Sequence, residues 1–330
     1  MALLMQHRDL PVDPPSSHPF FTFFLFLFIV LISLLLSIYS DVNMQYLLLT
    51  VFLSLAICYI SSKIFYNFTR PARKIRGASD NFKRINWISN NNELIVRYEK
   101  WNDTVGPLII GIHGWQSDSS SVEYKIQPFL DSGYHAIMID LPGHGLSDGL
   151  RTWNAVESGE RILSMLKIES PNWDSSKINS IVLFGHSIGG FVVLRYADRM
   201  NAILPVPISK VYLESPMTSF PLVYKQRTRY WKFIPGLLAK IDLRWAFIRD
   251  GPNIDIVWRN FAVPDWGIPT LPLRILQAKH DVVLGLNHVD LLKPYVNDDW
   301  DIILDPNLKH FGRGEARGDA SKTYESWMKE

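Results

Sequence analysis

The sequence predicts an α/β domain, a mostly parallel sheet with helices on both faces, carrying a cap insertion and preceded by a pair of apolar helices. Three observations predict it. Two long uncharged runs lie near the N-terminus. From about residue 85, short apolar runs alternate with helix-length amphipathic segments. A serine flanked by glycines then sits at one of the strand-to-helix junctions.

Residues 20–39 are twenty positions without a charge, rich in Phe, Leu and Ile. At about 1.5 Å per residue they reach about 30 Å, the thickness of a bilayer core. A second run, 44–60, follows after Ser40-Asp41-Val42-Asn43. So short a break predicts a transmembrane hairpin within residues 1–65. A signal peptide fits poorly, because its apolar region is about 7–15 residues long and ends in a small-residue cleavage site. Basic residues set the orientation. Lys63, Arg70, Arg73, Lys74 and Arg76 follow the second run, Arg8 precedes the first, and the connecting loop has no Lys or Arg. The positive-inside rule then puts both ends, and the following domain, in the cytoplasm. The sequons at Asn67 and Asn102 would stay idle there.

Residues 66–92 read as a basic linker, and 93–330 as the α/β domain. Expected strands are 94–98, 108–112, 135–139, 181–184, 208–213, 273–277 and 302–304, with helices at 122–130, 155–168, 188–198, 285–295 and 315–328. About 240 residues bury roughly 70–75% of the surface of the unfolded chain, enough for a core without metal or disulfide. The single cysteine, Cys58, lies in an apolar run and allows no internal disulfide. With 34 basic against 32 acidic side chains, the net charge of +2 gives no reason to expect a nucleic-acid partner.

Residues 215–269 interrupt the alternation with Trp231, Trp245, Trp258, Trp266 and the basic stretch from Lys225 to Arg229. An insertion of this length in an α/β core reads as a lid. Its aromatics argue either for a lipophilic substrate or for packing of the lid on the core. Lys225, Arg227, Arg229 and Lys232, beside Tyr230, Trp231, Phe233 and Ile234, would suit contact with anionic headgroups.

Gly185-His186-Ser187-Ile188-Gly189 follows an apolar strand and opens a helix. A sharp strained turn lifts the serine oxygen to the sheet top, and the helix aims its first N–H groups at the same point. His113-Gly114-Trp115 ends another strand, and Asp140-Leu141-Pro142-Gly143-His144-Gly145-Leu146-Ser147 a third. Function is therefore expected at the carboxyl edge of the sheet.

These three motifs, in this order, resemble the α/β-hydrolase superfamily, on the side of monoacylglycerol lipases, lysophospholipases and related esterases. The resemblance covers about residues 94–329. It implies Ser187 as nucleophile and the backbone N–H groups of Trp115 and Ile188 as the oxyanion hole. Chain order then asks for an acid and a histidine further on. Asp281, in Ala278-Lys279-His280-Asp281, matches the acid position, although Ala278 stands where glycine is usual. His310, in Lys309-His310-Phe311-Gly312, matches the base, with Lys309 replacing a glycine. Rivals are His288 for the base and Asp250, Asp255 or Asp265 for the acid, whereas His113, His144 and His186 read as loop-orienting residues. The implied activity is hydrolysis of carboxylic esters, with no metal or organic cofactor; the resemblance says little about the substrate, and the expectation of lipophilic acyl esters comes from the aromatic lid and the bilayer tether. A serine aminopeptidase-like hydrolase and an inactive scaffold remain as alternatives. Halide or epoxide chemistry is disfavoured, since those relatives carry Asp at the position of Ser187.

Overall fold

The computed structural model describes residues 8–40, 43–250, 262–311 and 318–330. Two of the lid residues singled out above, Asp255 and Trp258, lie outside the described residues, as do positions 315–317 of the expected last helix. The chain opens with two apolar helices, α1 (Phe20–Tyr39) and α2 (Met44–Thr69). Strands β1 (Lys83–Ile88), β2 (Leu94–Lys100), β3 (Gly106–Ile112) and β4 (His135–Ile139) follow, with α3 (Ser120–Asp131) between β3 and β4. The second half runs α4 (Ala155–Glu169), β5 (Ile178–His186), α5 (Ile188–Asn201), β6 (Ile208–Glu214), then the cap helices α6 (Phe220–Arg227) and α7 (Ile234–Asp250). It ends with β7 (Leu273–Ala278), the short α8 (Asn287–Asp290), β8 (Asp301–Asp305) and α9 (Ser321–Lys329).

Among the described residues, eight strands form one sheet in the order β1-β2-β4-β3-β5-β6-β7-β8. The β1–β2 and β2–β4 pairs are antiparallel, and every pair from β4 to β8 is parallel. Period-two alternation divides the core. Leu108, Ile110 and Ile112 face the layer holding α4 and α5, whereas Ile109 faces Val122, Ile126 and Phe129 of α3. Neighbouring β3 and β5 carry their crossovers to opposite sides, so a crevice opens between their carboxyl ends. The expected α/β-hydrolase architecture is present.

Three expectations need correction. The stretch read as a linker, 66–92, contains edge strand β1, which the sequence hid because only Trp87 of its six residues is buried. The expected helix 285–295 breaks into α8 and a single 3₁₀ turn, Lys293–Tyr295. Pro294, with no N–H and a ring that collides with the preceding turn, ends any longer helix there. The second apolar helix does not stop at residue 60 but runs unbroken to Thr69.

That extension joins the hairpin to the sheet domain. Phe65, Phe68 and Thr69 are buried, Phe68 lies against Phe220 and Tyr224 (5.4 and 5.2 Å between ring centres), and the Thr69 carbonyl accepts from Trp153 N–H at 3.1 Å. The segment before α1 is fastened as well. Arg8 pairs with Asp148, Val12 N–H donates to the same carboxylate (2.7 Å), and Ser17 N–H donates to the Arg151 carbonyl (3.0 Å). Both ends of the hairpin therefore meet one body. Beyond them α1 and α2 leave most side chains exposed, and both are long and apolar enough to cross a membrane.

Candidate active site

Ser187 stands between β5 and α5 at φ +54°, a left-handed region that L side chains rarely adopt. Its N–H donates to the Glu214 carbonyl (3.1 Å), and its own carbonyl accepts from Met217 N–H (2.8 Å), so the turn is pinned from both sides. The glycines answer to crowding. A Cβ on Gly185 would lie 2.8 Å from the Gly189 carbonyl oxygen, and one on Gly189 would collide with the Ile112 carbonyl.

The structure brings together the three side chains that the sequence offered. Ser187 Oγ lies 3.1 Å from His310 Nε2, and His310 Nδ1 lies 2.8 Å from Asp281 Oδ2. A carboxylate only accepts, so the imidazole proton sits on Nδ1 and the Nε2 lone pair faces the serine. Asp281 is held in turn by Val283 N–H (2.8 Å), Leu284 N–H (2.9 Å) and the Gln277 amide (3.2 Å). Burial pushes the Asp281 carboxyl up, but the His310 hydrogen bond and charge and the two N–H donors outweigh it. The group ends below the ordinary carboxylate range, ionised where an imidazolium would form beside it.

The two residues whose N–H groups were offered for an oxyanion, Trp115 and Ile188, both line the cavity beside Ser187. Ile188 is the first residue of α5, and its N–H has no acceptor within the helix. The chain at Gly114 passes so close that a Cβ there would meet Ser187 Cβ at 3.3 Å, so the loop that carries Trp115 runs beside the serine. His113 props this loop, donating from Nδ1 to the Gly114 carbonyl (2.7 Å) and accepting Leu141 N–H at Nε2 (3.0 Å).

The rival groups are occupied elsewhere. His144 is buried with Nδ1 against the Pro142 carbonyl (3.0 Å). His288 accepts Thr218 N–H at Nδ1 (3.0 Å), and burial draws its pKa down to about 4. Asp250 is engaged with Arg249, Ser17 and Thr152, and Asp265 lies exposed in a turn. The motif at residues 140–147 locks a loop: Asp140 accepts from Ser119 and Leu146, and Ser147 ties the Asp140 carbonyl to β2.

Sequence reasoning missed a charged cluster directly behind the serine. Lys125 and Glu214 form an ion pair with both side chains about 1% exposed, and Tyr324 donates to the same carboxylate (2.8 Å). His186 lies beside it, 3.8 Å from Glu214, and donates from Nε2 to the His310 carbonyl (3.1 Å). The cluster thus connects the nucleophile turn to the loop carrying His310. A signal existed. Lys125 falls on the apolar face Val122-Ile126-Phe129 of its helix, and Glu214 follows the apolar run Val211-Tyr212-Leu213 at the carboxyl end of its strand.

Ser187 and His310 open into a cavity of about 590 Å³. Its lining combines apolar side chains, among them Phe68, Trp153, Met217, Phe220, Val223 and Leu284, with polar ones, among them Lys74, Arg76, Gln116 and Asp118. Asn67 and Phe68 come from α2, so the second apolar helix supplies part of the wall, which its sequence gave no reason to expect.

Comparison with known proteins agrees with this geometry. A human serine hydrolase-like protein is 27% identical over 144 residues, 40% of this chain and 64% of its own length. A probable serine hydrolase of Drosophila melanogaster is 30% identical over 123 residues, 35% of this chain and 33% of that protein. The chain therefore matches less than two thirds of the length of either relative. Among solved structures, the esterase Pf2001 of Pyrococcus furiosus superposes on 79% of this chain and 95% of its own, with a TM-score of 0.57 and 17% identity. A membrane phospholipase A, a bacterial virulence factor, superposes on 87% of this chain and 98% of its own, with a TM-score of 0.52 and 15% identity. At such identities the likeness is one of fold. Residues 109–321 match the model of the alpha/beta hydrolase family. Because that match extends from β3, past Ser187 and His310, to the start of α9, the chain belongs to the alpha/beta hydrolase family.

Proposed function

We propose that this protein is a membrane-anchored serine hydrolase that cleaves carboxylic esters of lipophilic acyl chains through an acyl-enzyme. The observation that carries the reading is the Ser187–His310–Asp281 chain of contacts at 3.1 and 2.8 Å, opening on a cavity with apolar lining residues. His310 Nε2 takes the serine proton as Oγ attacks the ester carbonyl. The N–H groups of Trp115 and Ile188 receive the oxyanion, and Asp281 holds the imidazolium. His310 then protonates the leaving alkoxide, and a water activated by the same nitrogen releases the acid. The cap residues on the cavity, Met217, Phe220, Val223 and Arg227, are apolar or cationic, which favours an ester over the free amine of an aminopeptidase substrate. A fluorophosphonate probe that labels wild type but not Ser187→Ala, followed by a series of esters of rising acyl length, tests the reading. Equal labelling of both proteins would overturn it, and no labelling of wild type would favour an inactive scaffold.

The anchor is part of the proposal. The apolar helices α1 and α2 make a two-pass hairpin, and the attachment of both hairpin ends to the hydrolase domain supports an even number of crossings. Lys63, Arg70, Lys74 and Arg76 after the second span favour a cytoplasmic domain. In sealed microsomes, protease added outside should digest the domain and leave the hairpin. Full protection of the domain would reverse the orientation.

A further inference from the structure

Helix α7 has two apolar faces. Gly236, Ala239, Asp242, Leu243, Ala246 and Phe247 are buried. On the other side Ile234, Leu237, Ile241, Trp245 and Ile248 are each between 41 and 58% exposed. Their spacing of 3, 4, 4 and 3 residues draws one stripe along the helix, at about 100° per residue. Lys240 and Arg244, both exposed, flank it, and Tyr230, Trp231 and Phe233 extend it at the start of the helix. An uncovered stripe of this length on an otherwise well-packed domain marks a contact surface.

The occupant follows from what α7 holds. It packs against α2 and α1, and its buried Asp242 accepts Phe21 N–H (2.7 Å), Thr22 N–H (3.2 Å) and the Thr22 hydroxyl. Asp242 thereby caps the open N-terminal turn of the first apolar helix. Trp245 continues from the stripe onto that helix, its ring 5.7 Å from Phe21 in an edge contact. The exposed stripe is thus continuous with the exposed surface of α1 at the level where α1 begins.

We infer that α7 lies in the plane of the membrane interface, with its stripe in the acyl boundary and Lys240 and Arg244 among anionic headgroups. This rests on the membrane reading of the hairpin and deepens it. An in-plane helix with an apolar face and a cationic flank is the form that interfacial segments take. One consequence concerns the substrate. Phe220 lines the cavity with Ser187 and lies against Phe247 on the buried face of α7 (5.7 Å between ring centres) and against Phe68 of α2, so an ester would reach the serine from the bilayer with its acyl chain along the α2–α6 side.

The test uses the full chain in vesicles of phosphatidylcholine, with and without phosphatidylserine. In a Cys58→Ser background, single cysteines replace Ile241 or Ile248 on the stripe, Leu35 in α1, and Val105 at the far edge of the domain. Each carries an environment-sensitive fluorophore, and lipids with a nitroxide near the headgroup or deep in the chain serve as quenchers. Fluorophosphonate labelling of Ser187 in every variant reports separately on the hydrolase. The stripe positions should be quenched by the shallow nitroxide several-fold more than Val105→Cys, and Leu35→Cys most by the deep one. Lys240→Glu with Arg244→Glu should weaken the shallow quenching only where phosphatidylserine is present. Stripe labels quenched no more than Val105→Cys, with Leu35→Cys still quenched, would overturn the inference and leave the hairpin reading intact. Loss of quenching at Leu35→Cys as well would remove both, whatever the probe labelling shows.

Discussion

The cavity has two walls of different origin. One is the carboxyl edge of the sheet, where Ser187, Trp115 and His310 line the cavity, with Asp281 behind His310, in loops held by backbone hydrogen bonds and glycines that tolerate no Cβ. The other is assembled from segments far apart in sequence, the end of α2 at Phe68 and the cap helix α6 at Phe220 and Val223, held by side-chain packing. Polar contacts with few geometric solutions make the first wall. Non-directional burial makes the second, and burial tolerates substitution as long as volume is kept. The first wall should therefore govern whether turnover occurs, and the second which acyl chain enters.

The largest expected effect tests the first wall. Ser187→Ala, His310→Ala and Asp281→Asn should each lower ester turnover on the order of 10⁴-fold or more in a protein that still melts cooperatively, because the three groups act together. Steady-state kinetics decides, and a His310→Ala enzyme near wild-type rate would move the base elsewhere. Support beneath that wall comes next. Glu214→Ala leaves Lys125 buried without its partner, which should destabilise the fold by about 3–5 kcal/mol, read as a lowered denaturation midpoint. An unchanged midpoint would show that the pair is dispensable.

The seam between the walls carries a pH signature. His288, fully buried below the start of the cap, has its pKa lowered by burial from 6.5 to about 4. Between those values the unfolded chain binds a proton that the folded one excludes. Stability should thus fall as pH drops from about 6.5 to 4, by about 3 kcal/mol, and level off below. Denaturant titrations of wild type and His288→Asn across this range should show a slope in the first that is reduced in the second; parallel curves would contradict it. The smallest effect belongs to the second wall. Phe68→Ala should lower kcat/KM for long-chain esters about tenfold, about 1.4 kcal/mol, and leave acetate esters within about twofold. An equal loss on both would mean that Phe68 serves the fold rather than acyl selection.

Legibility followed the same division. Ser187, the Gly114–Trp115 turn, Asp281 and His310 could be named from the chain because each lies just beyond an apolar strand. Such a site is coded by short motifs whose glycines and chain order have few other uses. The parallel sheet was legible for a like reason, since a strand buried on both faces is a run of apolar residues. Edge strand β1 is hidden because one exposed face and a free edge remove that run, and the helix after Asp281 is shorter than its apolar periodicity predicts because Pro294 cannot continue it.

By itself, then, the sequence determined the α/β class, the two apolar helices and the side chains that meet at the candidate site, all properties of contiguous residues under local steric and hydrophobic rules. Tertiary structure alone decided that α2 continues as a wall of the cavity, that Lys125 meets Glu214 across 89 positions, and that Asp242 caps a helix 220 residues before it. Those pairings depend on how layers pack. A charged residue or an aromatic reads the same in sequence whether it faces water, lipid or a distant partner, and only the assembled fold separates the three.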